Sequence, residues 1–149
     1  MELITTIDSD IKEAMLARDA ARLRGLRSIK AALLLAKTEE GASGTISPET
    51  ELKVLQKLAK QRKESAEIYR EQQRPDLEQT ETEELEVIES YLPKQMDPAE
   101  LEAEIKKIIE SSGAASMKDM GRVMGQASKQ FAGRADGKTV SETVKRLLS

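Results

Sequence analysis

Residues 117–148 read MKDMGRVMGQASKQFAGRADGKTVSETVKRLL, and the fold class turns on how this stretch is read. Met117, Met120, Met124, Ala127 and Phe131 recur at intervals of three and four, and Val140, Val144 and Leu147–Leu148 do the same. That spacing gathers apolar side chains on one face of an α-helix, whereas a strand would alternate them. Between the two runs, Gly133-Arg134-Ala135-Asp136-Gly137 has the composition of a turn. The stretch therefore reads as two short amphipathic helices across a turn, with Gly121 and Gly125 inside the first.

Composition extends this helical reading to the rest of the chain. Aromatic residues make up 2% of the 149 positions, and Tyr69, Tyr91 and Phe131 are the only rings. The core must then be built from Leu, Ile, Val, Met and Ala, which suits helix-on-helix packing better than a sheet. Without Cys, disulfides and thiolate chemistry are excluded. Without His, the usual general base and the usual zinc ligand are missing too. The N-terminal MELITTIDSDIKEAML carries acids and no long apolar run, so neither a signal peptide nor a membrane span is expected, and the setting predicted is cytoplasmic.

In chain order, Leu3, Ile7, Ile11 and Ala14–Met15 mark a first helix, and Asp19 caps a second with the stripe Leu26, Ile29, Leu33, Ala36. Residues 31–36, AALLLA, are apolar nearly all round and are expected to be the most buried segment. Gly41-Ala42-Ser43-Gly44 reads as a loop, and Ser47-Pro48 opens a third helix running to about Gln73. That helix has an apolar stripe through Leu52, Leu55, Ala59, Ala66 and Tyr69, beside a basic stripe of Lys53, Lys57 and Lys60. The basic stripe has two readings, a polyanion-binding face or an ordinary solvated one, and the solvated one is preferred. Lys60/Glu64 and Lys63/Glu67 stand four apart and can pair weakly. A fourth helix, capped by Asp76 or by Thr80, ends at Pro93. Lys94-Gln95-Met96 is read as a hinge, and Asp97-Pro98-Ala99-Glu100 opens a fifth helix that Gly113 closes. Ser116, with Asp119 three later, is expected to cap the sixth. The expected architecture is all-α: an N-terminal bundle of about four helices over residues 1–93, then a small three-helix domain over residues 97–149.

Charge is unevenly distributed. Eleven acids face one base, Lys94, between residues 76 and 104, while residues 114–149 carry seven bases against three acids. A basic tail on an acidic chain permits contact with a polyanion.

Three segments carry a resemblance: KQRKESAEIY at 60–69, IESYLP at 88–93, and MGRVMG at 120–125 with GRADGKTVS at 133–141. On these the chain is identified as a member of the YqeY family. Its C-terminal part also resembles the tail domain of GatB, the tRNA-handling subunit of the glutamine-dependent aminoacyl-tRNA amidotransferase. Gly121, Val123, Met124, Gly133, Arg134, Ala135 and Asp136 fill the places of that tail's motif. The resemblance implies tRNA contact and a tie to carbon–nitrogen ligation with glutamine as amido-N-donor. The catalytic cradle of GatB and the amidase subunit have no counterpart in this chain.

The site residues expected are therefore RNA-binding: Arg134 and Lys138 flanking the start of the last helix, with Arg122 and Lys129 as companions. Asp136 is expected to cap that helix through its carboxylate. Gly121 and Gly125 are read as packing glycines that admit a neighbouring backbone. Phe131 belongs to the apolar stripe and is assigned to the core. No catalytic set emerges: Ser43, Ser47 and Ser141 lack a histidine partner, and Glu83, Glu84 and Glu86 read as an exposed acidic helix. No cofactor or metal is expected. The partners expected are tRNA or another structured RNA, and a protein of aminoacyl-tRNA metabolism, with no membrane. The alternative is a protein-interaction adaptor using exposed helix faces.

Overall fold

The computed structural model describes residues 2–41 and 44–149. Its elements are α1 (Leu3–Leu16), α2 (Ala20–Glu39), α3 (Pro48–Glu71), α4 (Pro75–Glu89), α5 (Pro98–Ser112), a single 3-10 turn (Met117–Asp119), α6 (Met120–Gln130) and α7 (Gly137–Leu148). The described residues form no strand, and the fold is all-α. None of these helices is long and apolar enough to cross a membrane. They sort into two compact units, Met1–Leu92 and Pro93–Ser149, each around its own core.

The first unit buries Ile7 and Ala14 of α1, Leu26, Ile29 and Leu33 of α2, Leu55 and Ala59 of α3, and Ile88 of α4. Each large aliphatic side chain so buried contributes about 1.5–3 kcal/mol. The Asp19 carboxylate accepts from the Arg22 N–H, and the Ser47 hydroxyl from the Thr50 N–H, so both start signals act as their residue types dictate. Glu51 reaches from α3 to take the Leu3 N–H at 2.8 Å, satisfying a free donor at the start of α1. At Gly25 the helices α2 and α4 come so close that a Cβ would lie 2.6 Å from Val87 Cβ.

Several expectations fail in this unit. Met15, placed on the stripe of the first helix, is 55% exposed. Residues 31–36 are not the most buried segment: Leu33 is 1% exposed, but Leu34 is 45% and Leu35 62% exposed. A helix packed on one side buries only the stripe that faces its neighbours, whatever the hydropathy of its back. The start of α4 is capped by neither Asp76 nor Thr80; Pro75 takes the first helical position, and the Thr80 hydroxyl bonds back to the Asp76 carbonyl inside the helix. The expected Lys60/Glu64 and Lys63/Glu67 pairs are also absent among the described residues. Instead Arg62 crosses to α4, with Nε 3.2 Å from Glu81 Oε2 and Nη1 2.9 Å from Glu84 Oε2, while Arg70 binds Glu78. Base-before-acid spacing is the weaker orientation within a helix, and the ion pairs to α4 are made by other residues, Arg62 and Arg70.

The second unit packs α5, α6 and α7 around Leu101, Ile105, Ile108, Val123, Ala127, Phe131, Val140, Val144 and Leu148. Phe131 is core, as its place on the stripe implies. Asp97 caps α5 at the Glu100 N–H, 2.7 Å, and Gly113 closes it with φ +71°. The segment before α5 is fastened to the 133–134 turn. The Met96 N–H donates to the Arg134 carbonyl at 3.0 Å, and Gln95 Nε2 to the Gly133 carbonyl at 2.7 Å.

Candidate nucleic-acid interface

Helix α6 begins one residue after a 3-10 turn that Ser116 opens by accepting from the Lys118 N–H. Asp119 stands at the N-cap of α6 but does not cap it. Its carboxylate turns back to the Ala115 N–H at 3.0 Å and pairs with Arg122. Those backbone hydrogen bonds, led by Ala115, hold the Asp119 carboxyl below the usual carboxylate value. The expected cap by Ser116 thus serves the 3-10 turn, because the tighter turn intercepts the chain first.

Val123 and Ala127 are fully buried, so α6 points its opposite face outward. On that face Arg122, Gln126 and Lys129 follow at intervals of four and three, all exposed. Arg122 and Lys129 are two turns apart, about 10 Å along the axis. Next to them, Gly121 and Gly125 are exposed, and a Cβ on either would meet nothing within 4 Å. The expectation that these glycines admit a closely packed backbone is overturned: neither α5 nor α7 lies over them. They sit a quarter-turn or more from Val123 and Ala127, on the side of α6 that the unit leaves bare. Gln126 escaped the sequence reading, although its place one turn after Arg122 was signal enough.

The four expected RNA contacts are not held alike. Arg134 is partly engaged inside the unit, its Nη2 3.3 Å from Glu100 Oε1 and its Nε 3.3 Å from the Lys94 carbonyl. Arg122 makes its one exposed pair, with Asp119 at 3.0 Å. Lys129 and Lys138 have no ion-pair partner among the described residues, Lys138 standing in the first turn of α7. Exposed pairs of this kind are worth about 0–1 kcal/mol, so neither arginine is held strongly by its carboxylate. Asp136 occupies the N-cap of α7, yet its side chain makes no capping bond. It takes the Thr139 hydroxyl at 3.4 Å instead, which leaves the first N–H groups of α7 uncapped by any side chain.

The acidic stretch 76–104 offers a partner less than its composition implies. Glu83 is bound by Arg24, Glu78 by Arg70, Glu81 and Glu84 by Arg62, Glu100 by Arg134 and Glu102 by Arg146. Of the serines considered as nucleophiles, Ser47 is spent as a helix cap and Ser141 lies half-buried within α7. Ser43 lies outside the described residues. No three Asp or Glu among the described residues are grouped to hold a metal ion.

A family model described as "Yqey-like protein" matches residues 4–148. Over 91 residues, 60% of this chain, the sequence is 35% identical to a protein of Clavispora lusitaniae named "Altered inheritance of mitochondria protein 41, mitochondrial". The matched stretch is 51% of that protein, so the chain spans about half the length of this relative.

Proposed function

Because the chain belongs to the YqeY family, we propose that it is a non-catalytic RNA-associated module whose C-terminal unit rests on the phosphates of tRNA or another structured RNA. The observation that carries this is the bare outer face of α6, where Arg122, Gln126 and Lys129 run beside two uncovered glycines. Each glycine costs about 1 kcal/mol against alanine inside a helix, and no packing contact offsets that cost. A flush, basic helix face lets a sugar–phosphate backbone come close while the side chains at its border bind phosphate oxygens. Lys138 and the uncapped start of α7 supply a second phosphate contact, with Arg134 released from Glu100 to join it.

The resemblance to the GatB tail supports the same reading and suggests attachment to aminoacyl-tRNA amidation as an accessory to the ligase, without its catalytic step. The setting proposed is the cytoplasm; the relative from C. lusitaniae carries a mitochondrial designation in its own name. Recognition would run through phosphates and shape, because the one aromatic ring of the unit, Phe131, is buried.

Binding of tRNA to wild type, Arg122→Glu/Lys129→Glu and Arg134→Glu/Lys138→Glu, measured against salt, tests the reading. Each lost phosphate contact should reduce the log–log salt slope by about 0.9, or about 0.7 on single-stranded segments. Affinity and slope that stay unchanged in both variants would sink it. A partner that survives nuclease treatment in a pull-down, with no RNA bound, would instead favour the adaptor.

A further inference from the structure

The outer face of α3 carries a row of charged residues outside the basic face of α6. Leu55, Ala59 and Ala66 are the buried residues of this helix. The face opposite them presents Lys53, Lys57, Lys60, Glu64, Glu67 and Glu71, every one exposed. Their intervals of four and three keep all six on one line, about 27 Å long. Of these six, the three nearer the N-terminus are basic and the other three acidic; exposed Glu49 precedes them by one turn. None of the six takes part in an ion pair among the described residues.

Local helix energetics do not account for this order. The first turn carries Glu49 and Glu51 and the last Arg70, as the helix dipole favours, but the six charges of the row are segregated by sign and forgo most stabilising pairs within the helix. The positions are, however, symmetric about residue 62: Lys60 with Glu64, Lys57 with Glu67, and Lys53 with Glu71.

We propose that α3 is a self-association surface on which a second copy of this chain lies antiparallel, related by a twofold axis at position 62. Such an axis reverses the helix direction, so each lysine of one copy meets the mirrored glutamate of the other and each pairing occurs twice. A parallel arrangement would set like charges together. The apolar flank of the row agrees with the same axis. Ile68 is 51% exposed, and half-buried Val54 and Leu58 lie on its side of the row. The axis places Ile68 of one copy between Val54 and Leu58 of the other, covering it. A helix of this length offers a strip of about 36 by 10–12 Å, roughly half the ~800 Å² per partner of a standard interface. The dimer is therefore weak, reversible and strongly salt-dependent.

Sedimentation velocity of the full chain decides. At about 50 mM salt it should show a concentration-dependent dimer whose apparent Kd rises at least about tenfold at about 500 mM, as screening shortens the reach of the charges. K53E/K57E/K60E and E64K/E67K/E71K should each be monomeric alone and should associate when mixed. The chain with all six exchanged should dimerise again, and unchanged helicity by circular dichroism marks each variant as folded. A wild type that stays monomeric at low salt, a dimer indifferent to salt or to reversal, or a mixture that fails to associate would each overturn the proposal. The proposal rests on α3 alone, so its outcome leaves the RNA reading of the other unit untouched.

Discussion

At the scale of single residues, Tyr91 shows how place alters chemistry. Its phenol donates to Asp10 Oδ2, tying the end of α4 to α1. Burial first, and the Asp10 carboxylate second, push the phenol from 10.0 up to about 12. The folded state thus holds this proton more tightly than the unfolded chain. The stabilisation is complete below pH 10 and fades as pH rises through about 12. An alkaline absorbance titration should show a late phenol, and Tyr91→Phe should remove it while lowering stability by about 1–2 kcal/mol. A titration curve unaltered by the substitution would contradict the assignment. That Tyr91 sits at the edge of an apolar stripe could be read in the sequence. That an acid 81 residues away receives its proton could not.

At the scale of helices, the glycines divide in a way that spacing alone misassigned. Gly121 and Gly125 look like packing residues because they recur one turn apart, but both face open space. Gly25, which the sequence reading passed over, is the packed one. It lies one turn before Ile29 on the stripe of α2, a position that could have drawn notice. Gly25→Ala should therefore destabilise by about 1–3 kcal/mol, as Val87 and the two helices are forced apart. Gly121→Ala and Gly125→Ala should each stabilise by about 0.5–1 kcal/mol. Urea unfolding of the three variants checks this, and a stability loss at Gly121 or Gly125 would restore the packing reading. Helix ends show the same division. Asp97-Pro98 and Gly113 were legible because their backbone demands are local. The end of α3 was expected near Gln73, yet the helix stops at Glu71, because Gln73 adopts φ +57° and turns the chain toward α4.

For the whole molecule, two separate cores imply two separable folding units. Fragments 1–92 and 93–149 should each be helical alone, with the smaller one melting at lower temperature because it buries less of its surface. Circular dichroism melts of both fragments and the full chain would show it, and two unstructured fragments would refute it. By itself the sequence determined the all-helical class, most helix starts, much of both cores and the basic character of the tail. Those follow from periodicity, capping and composition, which act over one or two turns. The same reading left Val123, fully buried, off the stripe of α6 and put Met117 on it, although Met117 is 41% exposed. Only the tertiary structure decided which faces stay bare: the outer side of Leu34 and Leu35, the glycines of α6, and the charged back of α3. The reason is physical. Hydropathy fixes what a face prefers, but burial depends on whether another helix is there to cover it, and that is set by contacts between residues far apart in the chain.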